Sequence, residues 1–382
     1  MAERWDIFCR VVDNFGDAGV CWRLARKLAL EHRFRVRLWI DHLPTLARLD
    51  PAVVDALRQS VDGVEIFRWD GDSAPAPSGA QVVIEAFGCG LPEPYVEAMA
   101  GESRPPLWIV LEYLSAEPWV AAHHGLPSPH PRLPLERYFF FPGFVEGTGG
   151  LLREQDLFAR RDAFGAQQRE AFWRAAGHEP PPADALTVSM FAYDTAPLEA
   201  LLQVWEKAAR ATVVAIPEGK LPGTALEHFG VAGVPAGRVL RRGALEVRVM
   251  PFVPQARFDE LLWSCDVAFV RGEDSFVRAQ WAARPFVWHI YPQEERAHWR
   301  KLDAFLALYC SGLAAPAASA LNDLMRAWNR VDTAPVSLAR AWAAFALQVD
   351  PLRDHAREWA QRTARVGELA DNLARFCLDK LK

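Results

Sequence analysis

The feature that most constrains this chain is a rhythm of short, continuously apolar runs alternating with helical patterns, and the rhythm occurs twice. Residues 5–12 read as a strand, 20–30 as a helix and 34–40 as a second strand, with further strands expected at 81–85, 107–111 and 138–141. Runs this short that are apolar throughout, rather than at every second position, suit strands covered on both faces, hence a parallel sheet between helices. The pattern restarts with five expected strands at 186–190, 212–216, 246–250, 266–270 and 285–289. Between 198 and 208 a helix places Leu198, Leu201, Leu202 and Trp205 on one stripe, with Pro197 in its first turn. Between the halves, Pro180, Pro181 and Pro182 follow Glu179 and cannot continue a helix, which marks a boundary.

The expected architecture is therefore α/β with two Rossmann-like lobes facing a central cleft. The first lobe spans 1–160, a linker 161–183 and the second lobe 184–354. Residues 355–382 are expected to be helical and to pack back on the first lobe. Asp350 and Pro351 suit a helix start, and Val366, Leu369, Leu373 and Phe376 recur at three- and four-residue steps.

Composition narrows the function. With 382 residues and 51% hydrophobic content, sizeable cores are possible. Lys and Arg total 43 against 48 Asp and Glu, a net charge of −5 that argues against a nucleic-acid binder. The six cysteines (Cys9, Cys21, Cys89, Cys265, Cys310, Cys377) form no CxxC pair, which suits free thiols in a reducing compartment. There is no signal-peptide pattern and no apolar run near 18 residues, so a cytoplasmic protein without a membrane partner is expected.

Two turns carry candidate chemistry. After the first strand comes a turn bearing Asp13, Asn14, Phe15, Gly16, Asp17 and Gly19, which opens a helix. Gly16 and Gly19 permit a tight turn and close approach of a ligand, although neither the full GxGxxG fingerprint nor a P-loop is present. Asp13 and Asp17 stand at the carboxyl edge of a strand, where ligands of open α/β sheets sit. The alternative is that Asp13 closes a turn and Asp17 caps the helix. In the second half Arg271, Gly272, Glu273, Asp274 and Ser275 again join a strand to a helix. Asp274 or Ser275 suits the N-cap, and the amides beyond could bind a diphosphate beside Arg271, while Glu273 could accept sugar hydroxyls. The alternative there is an ordinary capped helix with a surface charge cluster.

Phe191, Tyr193, Phe252, Gln255, Phe258 and Tyr291 fall near the same edge and could stack a flat base or pack in the core. His123, His124 and His130 lie in a Pro-rich loop without metal-ligand spacing, and residues 143–150 read as a mobile glycine-rich loop. No GxSxG elbow or HExxH is present.

Three stretches are similar to a known family: Asp-Asn-Phe-Gly-Asp-Ala-Gly-Val-Cys-Trp-Arg at 13–23, Arg-Gly-Glu-Asp-Ser-Phe-Val-Arg-Ala-Gln at 271–280, and Pro-Phe-Val-Trp-His-Ile-Tyr-Pro-Gln at 285–293. They resemble EarP, the bacterial protein-arginine rhamnosyltransferases acting on translation elongation factor P. The resemblance implies a GT-B glycosyltransferase that moves L-rhamnose from dTDP-β-L-rhamnose to an arginine with inversion, relieving ribosome stalling at polyproline. It implies that Asp13, Asp17 and Glu273 carry the chemistry. Phe191, Tyr193, Phe252, Gln255, Phe258, Arg271, Asp274, Ser275 and Tyr291 would bind the donor in the second lobe, with Asn14, Phe15 and Gly16 contributing from the first. The acceptor would dock mainly on the first lobe. No cofactor and no metal are expected, since Arg271 and helix amides can meet the leaving diphosphate. The alternatives are another GT-B transferase with a glycan, lipid or small-molecule acceptor, and a non-catalytic nucleotide-binding protein.

An arginine acceptor explains the need for carboxylates. Its pKa exceeds that of a carboxylate by about 9 units, so full deprotonation before attack would cost about 12 kcal/mol. A turnover near one per second allows a barrier of only about 17 kcal/mol. Late proton transfer to a positioned carboxylate is the better route.

Overall fold

The computed structural model describes residues 3–13, 15–70, 79–219, 223–231, 233–292, 297–330 and 334–382. The chain divides into two units, Met1–Glu154 with Arg362–Lys382, and Gln155–Gln361. Both are α/β with parallel-rich sheets.

Among the described residues the first unit holds β1 (Arg4–Cys9), β2 (Arg35–Ile40), β3 (Arg58–Val61), β4 (Val64–Arg68), β5 (Val82–Ala86), β6 (Leu107–Leu111), β7 (Pro127–Pro129) and β8 (Glu136–Phe140). Their order across the sheet is β3-β4-β2-β1-β5-β6-β8-β7. Among the described residues only the edge hairpins β3/β4 and β7/β8 are antiparallel. The central strands are mostly apolar because both faces are covered, and the charged residues within them, Asp6 of β1, Arg37 of β2 and Glu85 of β5, are buried, with Arg37 donating to Asp6 at 2.6 Å. On one face the helix Phe15–Leu30 buries Ala18, Cys21, Trp22, Ala25 and Leu28, and the helix Leu369–Leu381 adds Leu369, Leu373 and Cys377 to the same core. On the other, Phe8, Trp39, Trp69, Tyr95 and Trp108 form an aromatic cluster.

The terminal region is interrupted rather than continuously helical. The helix Val349–Ala364 ends, and Leu369–Leu381 begins after a break in which Gly367 takes φ of 103°. Val366 falls in this break, so the apolar stripe starts at Leu369. Glu368 caps the last helix: its carboxylate accepts the Asp371 N–H at 3.0 Å and the Arg153 N–H at 3.1 Å, with Lys27 Nζ at 3.5 Å. Burial pushes the Glu368 carboxyl up to about 7 against the pull of Lys27 and these amides.

The second unit holds β9 (Leu186–Met190), β10 (Thr212–Pro217), β11 (Val239–Arg242), β12 (Leu245–Met250), β13 (Val267–Arg271) and β14 (Phe286–His289), in the order β11-β12-β10-β9-β13-β14. Among the described residues of this unit only β11 is antiparallel to its neighbour. Within the stretch read as a linker, the helix Ala166–Ala175 packs Phe172 and Trp173 into this unit's core beside Ala185, Val213 and Met250.

Strand order fixes where ligands can sit. In the first unit the chain runs outward from β1 through β2, then returns to β5 on the other side of β1. In the second it runs outward from β9, then returns to β13. Each reversal leaves a crevice at the carboxyl ends of two adjacent strands, the usual binding position in such sheets. Both motif-bearing turns lie there.

Candidate active site

In the first unit the turn after β1 is built around Asp17, which is 2% exposed. It occupies the third residue of its helix, and its Oδ2 reaches back to accept the N–H of Val12 at 2.8 Å and of Asp13 at 2.7 Å. The carboxylate thus binds the backbone just ahead of the helix and ties the turn to it. The Gly16 N–H donates to the Asp13 carbonyl at 2.7 Å. A Cβ at Gly16 would lie 2.6 Å from Asp13 Oδ2, so glycine leaves the room that the half-buried Asp13 carboxylate takes. Both alternatives from the sequence hold geometrically, because Asp13 closes a turn and Asp17 secures a helix start. Yet Asp17 retains a second oxygen, Oδ1, which receives the Tyr113 hydroxyl at 3.4 Å. Burial raises the Asp17 carboxyl above its ordinary value, opposed by the hydrogen bonds from Asp13, Val12 and Tyr113 and reinforced by the charge of Asp41.

Asp41 and Tyr113, with the Phe87 that supports Tyr113, escaped the sequence reading. Asp41 follows β2 and accepts the Val11 N–H at 2.9 Å. Phe87 follows β5, and Tyr113 lies just beyond β6. Their rings stack at 4.5 Å with 17° between planes. Phe87 has φ of 58°, unusual for a residue with a side chain.

In the second unit Arg271 ends β13 and is buried, with its guanidinium 4.4 Å from the Phe191 ring centroid and 4.6 Å from that of Tyr193. This sandwich fixes a cation at the β9/β13 crevice. One Nη donates to the Ala192 carbonyl at 3.3 Å. The residue at the N-cap is Glu273, without a side-chain cap bond, rather than Asp274 or Ser275. The reason is that both of those side chains are engaged elsewhere. Ser275 Oγ accepts the Arg271 N–H at 3.0 Å and donates to the Arg271 carbonyl at 2.6 Å. Asp274 Oδ2 accepts from Gln255 Nε2 at 2.8 Å and Arg278 Nε at 3.3 Å. Gly272 turns the chain at φ of 55°.

The aromatics collect at the same edge. Phe258 sits edge-on to Phe191 at 6.0 Å, and Tyr291 edge-on to Tyr193 at 5.6 Å. Phe252 is half-buried in the segment after β12. His289, at the end of β14, accepts the Tyr193 N–H on Nδ1 at 3.3 Å. Burial and the Arg271 charge bring the His289 pKa down to about 3, so it is neutral at physiological pH.

The structure thus gathers Asp13, Phe15, Gly16 and Asp17 at one crevice, and Phe191, Tyr193, Gln255, Phe258, Arg271, Glu273, Asp274, Ser275 and Tyr291 at the other unit's edge. Asn14 lies outside the described residues. The loop histidines tie down backbone: His124 accepts the Phe141 N–H at 3.0 Å, and His130 accepts that of Leu133 at 3.1 Å. Among the described residues no group of three His, Cys, Asp or Glu side chains is arranged to hold a metal, and no helix is long and apolar enough to cross a membrane.

Residues 5–378 match the family described as Elongation-Factor P (EF-P) rhamnosyltransferase EarP. The chain belongs to the EarP family. It is 48% identical to a protein-arginine rhamnosyltransferase of Pseudomonas putida, with 100% of each chain covered. It is also similar to the EarP structure described as the structural basis for EarP-mediated arginine glycosylation of translation elongation factor EF-P. That likeness has a TM-score of 0.69 at 37% identity and covers 98% of this chain and 99% of the other. The spinosyn rhamnosyltransferase SpnG, solved with thymidine diphosphate, shares the fold alone, with a TM-score of 0.52 at 12% identity over 97% of this chain and 99% of its own. The fold is that of GT-B glycosyltransferases, and this EarP member is an enzyme of the protein-arginine rhamnosyltransferase kind.

Proposed function

We propose that the enzyme transfers L-rhamnose from dTDP-β-L-rhamnose to one arginine of elongation factor P, with inversion, in the cytoplasm and without a metal or other cofactor. The observation that carries this reading is the 37% identity, over 98% of the chain, to the EarP whose structure is described with EF-P glycosylation. The 48% identical relative named for arginine rhamnosylation supports the same reaction.

The site residues divide the work by chemistry. Asp17 accepts the proton from the attacking nitrogen through Oδ1, since Oδ2 already takes two backbone amides. A carboxyl raised by burial is the stronger base and narrows the pKa gap to the guanidinium. Proton transfer proceeds as the N–C bond forms, because prior deprotonation would use most of a barrier of about 17 kcal/mol. Asp13 orients the guanidinium and reduces its delocalisation, and Asn14 with Phe15 and Gly16 helps hold the rhamnose. Glu273 positions the sugar. Phe191, Tyr193, Phe252, Gln255, Phe258, Asp274 and Tyr291 form the nucleotide site. Arg271 and the amides near Ser275 receive the charge that grows on the leaving dTDP. The acceptor docks mainly on the first unit.

Incubating the protein with elongation factor P and dTDP-β-L-rhamnose, with and without a chelator, tests the reading by intact-mass spectrometry. A single deoxyhexose increment in both arms is expected. Transfer only from a UDP-sugar, or only with metal, would overturn the donor or the cofactor assignment respectively.

A further inference from the structure

We infer that Tyr113 is a positioning residue for this reaction: its hydroxyl holds Asp17 Oδ1 in the orientation from which that oxygen meets the acceptor nitrogen. The inference rests on the proposed role of Asp17 and adds a residue outside every motif the sequence offered. The backbone anchors Asp17 through Oδ2. Its Oδ2 accepts two backbone N–H groups at 2.8 Å and 2.7 Å, which pin that oxygen to the turn. The plane of the carboxylate, and with it the direction of the Oδ1 lone pairs, depends on what touches Oδ1. The Tyr113 O–H lies 3.4 Å from it, a length that can tighten once substrate closes the site.

Tyr113 is itself held. Its ring stacks on Phe87 at 4.5 Å, and Phe87 occupies a left-handed backbone conformation at φ of 58°. The Phe87 N–H donates to the Leu111 carbonyl at 2.7 Å, joining the ends of β5 and β6 beneath the stack. A bulky residue in that conformation persists where the surroundings over-determine it, and such positions gather at functional sites. The phenol oxygen can also accept. When a guanidinium N–H arrives, Tyr113 can donate to the carboxylate and take a hydrogen bond from the substrate.

Among the described residues, the charged and titratable groups around Asp17 include Asp13 in its own turn, Asp41 after β2, Tyr113 after β6, and the buried thiols of Cys9 and Cys21. Of these, the Tyr113 hydrogen bond favours the charged carboxylate, whereas Asp41 disfavours it. Removing the hydroxyl therefore raises the Asp17 pKa and moves the acid limb of the rate profile to higher pH.

The test is the pH profile of kcat and KM for Tyr113→Phe, measured by rhamnosyl transfer to elongation factor P beside Asp17→Asn. We expect a fall of about 10-fold or more in the plateau kcat, an unchanged KM for the nucleotide sugar, and an acid limb displaced upward. Phe87→Leu, which keeps the hydroxyl but loosens its support, should give a smaller loss in the same direction. Wild-type kcat with an unmoved acid limb in Tyr113→Phe, while Asp17→Asn is inactive, overturns the inference alone. A loss in kcat without displacement of the limb also overturns it, because Tyr113 would then act elsewhere than on Asp17. Retained activity in Asp17→Asn instead overturns the base assignment on which the inference stands.

Discussion

Replacing Asp17 by Asn separates the structural from the chemical use of this side chain. An Asn carbonyl oxygen can take the place of Oδ2 and accept the Val12 and Asp13 N–H groups, now held at 2.8 Å and 2.7 Å. The helix start is therefore retained. Two charge-assisted bonds become neutral ones, a loss of about 1 kcal/mol each, partly offset because no charge is buried any longer. Unfolding stability should thus change by less than about 2 kcal/mol. The chemistry suffers far more. Where Oδ1 offered a basic lone pair towards Tyr113 and the acceptor, the variant presents an N–H donor. Loss of a positioned general base typically slows a reaction by about 10²–10⁴-fold, equivalent to about 3–5 kcal/mol of barrier. The assay is the initial rate of rhamnosylation at saturating donor, read by mass spectrometry, with dTDP affinity measured by calorimetry. We expect a rate down by at least about 100-fold with donor affinity within a few-fold. A near-normal rate in a folded variant would refute the assignment of Asp17 as base.

Other substitutions probe the remaining contacts. Gly16→Ala puts a methyl 2.6 Å from the present position of Asp13 Oδ2 and must displace that carboxylate. A fall of about 10-fold or more in kcat, with little change in melting temperature, is expected by activity assay and calorimetry, since small misplacements of a reacting group are costly. Arg271→Lys keeps the charge but not the planar group between Phe191 and Tyr193 at 4.4 Å and 4.6 Å. Calorimetric titration with dTDP should show affinity reduced by about 10-fold. Glu368→Gln tests linkage at the last helix. With a carboxyl raised from an ordinary 4.5 to about 7, the folded state binds a proton more tightly than the unfolded chain. The stabilisation this gives is full below 4.5 and is lost as pH rises to 7, a change of about 3 kcal/mol. Urea unfolding across this window should show wild type losing stability relative to the Gln variant, and parallel curves would contradict it.

The central strands were legible because burial on both faces leaves a short, mostly apolar run. Strands 107–111 and 186–190 match β6 and β9 end to end. The edge hairpin of β3 and β4 was not legible. Arg58–Val61 alternates exposed and half-buried positions, and its exposed Arg58 suits an unpaired edge, so it reads like a loop. The glycine-rich stretch 143–150 looked mobile, yet Gly149 leaves space filled by Phe140 and Leu369, contacts that only the tertiary fold supplies. In the candidate site the acids stood out because a short turn carries both. Tyr113, Phe87 and Asp41 did not, since each follows a different strand and they meet only through the β2-β1-β5-β6 order. Likewise Arg271 lies far along the chain from Phe191 and Tyr193, and no local pattern encodes their sandwich.

The most direct test is tandem mass spectrometry of elongation factor P after reaction with dTDP-β-L-rhamnose, locating the modification by residue. The structure and its chemistry call for one deoxyhexose on an arginine side chain from the wild-type enzyme and none from Asp17→Asn. A sugar found on a serine, lysine or carboxylate, or equal modification by both enzymes, would contradict the account.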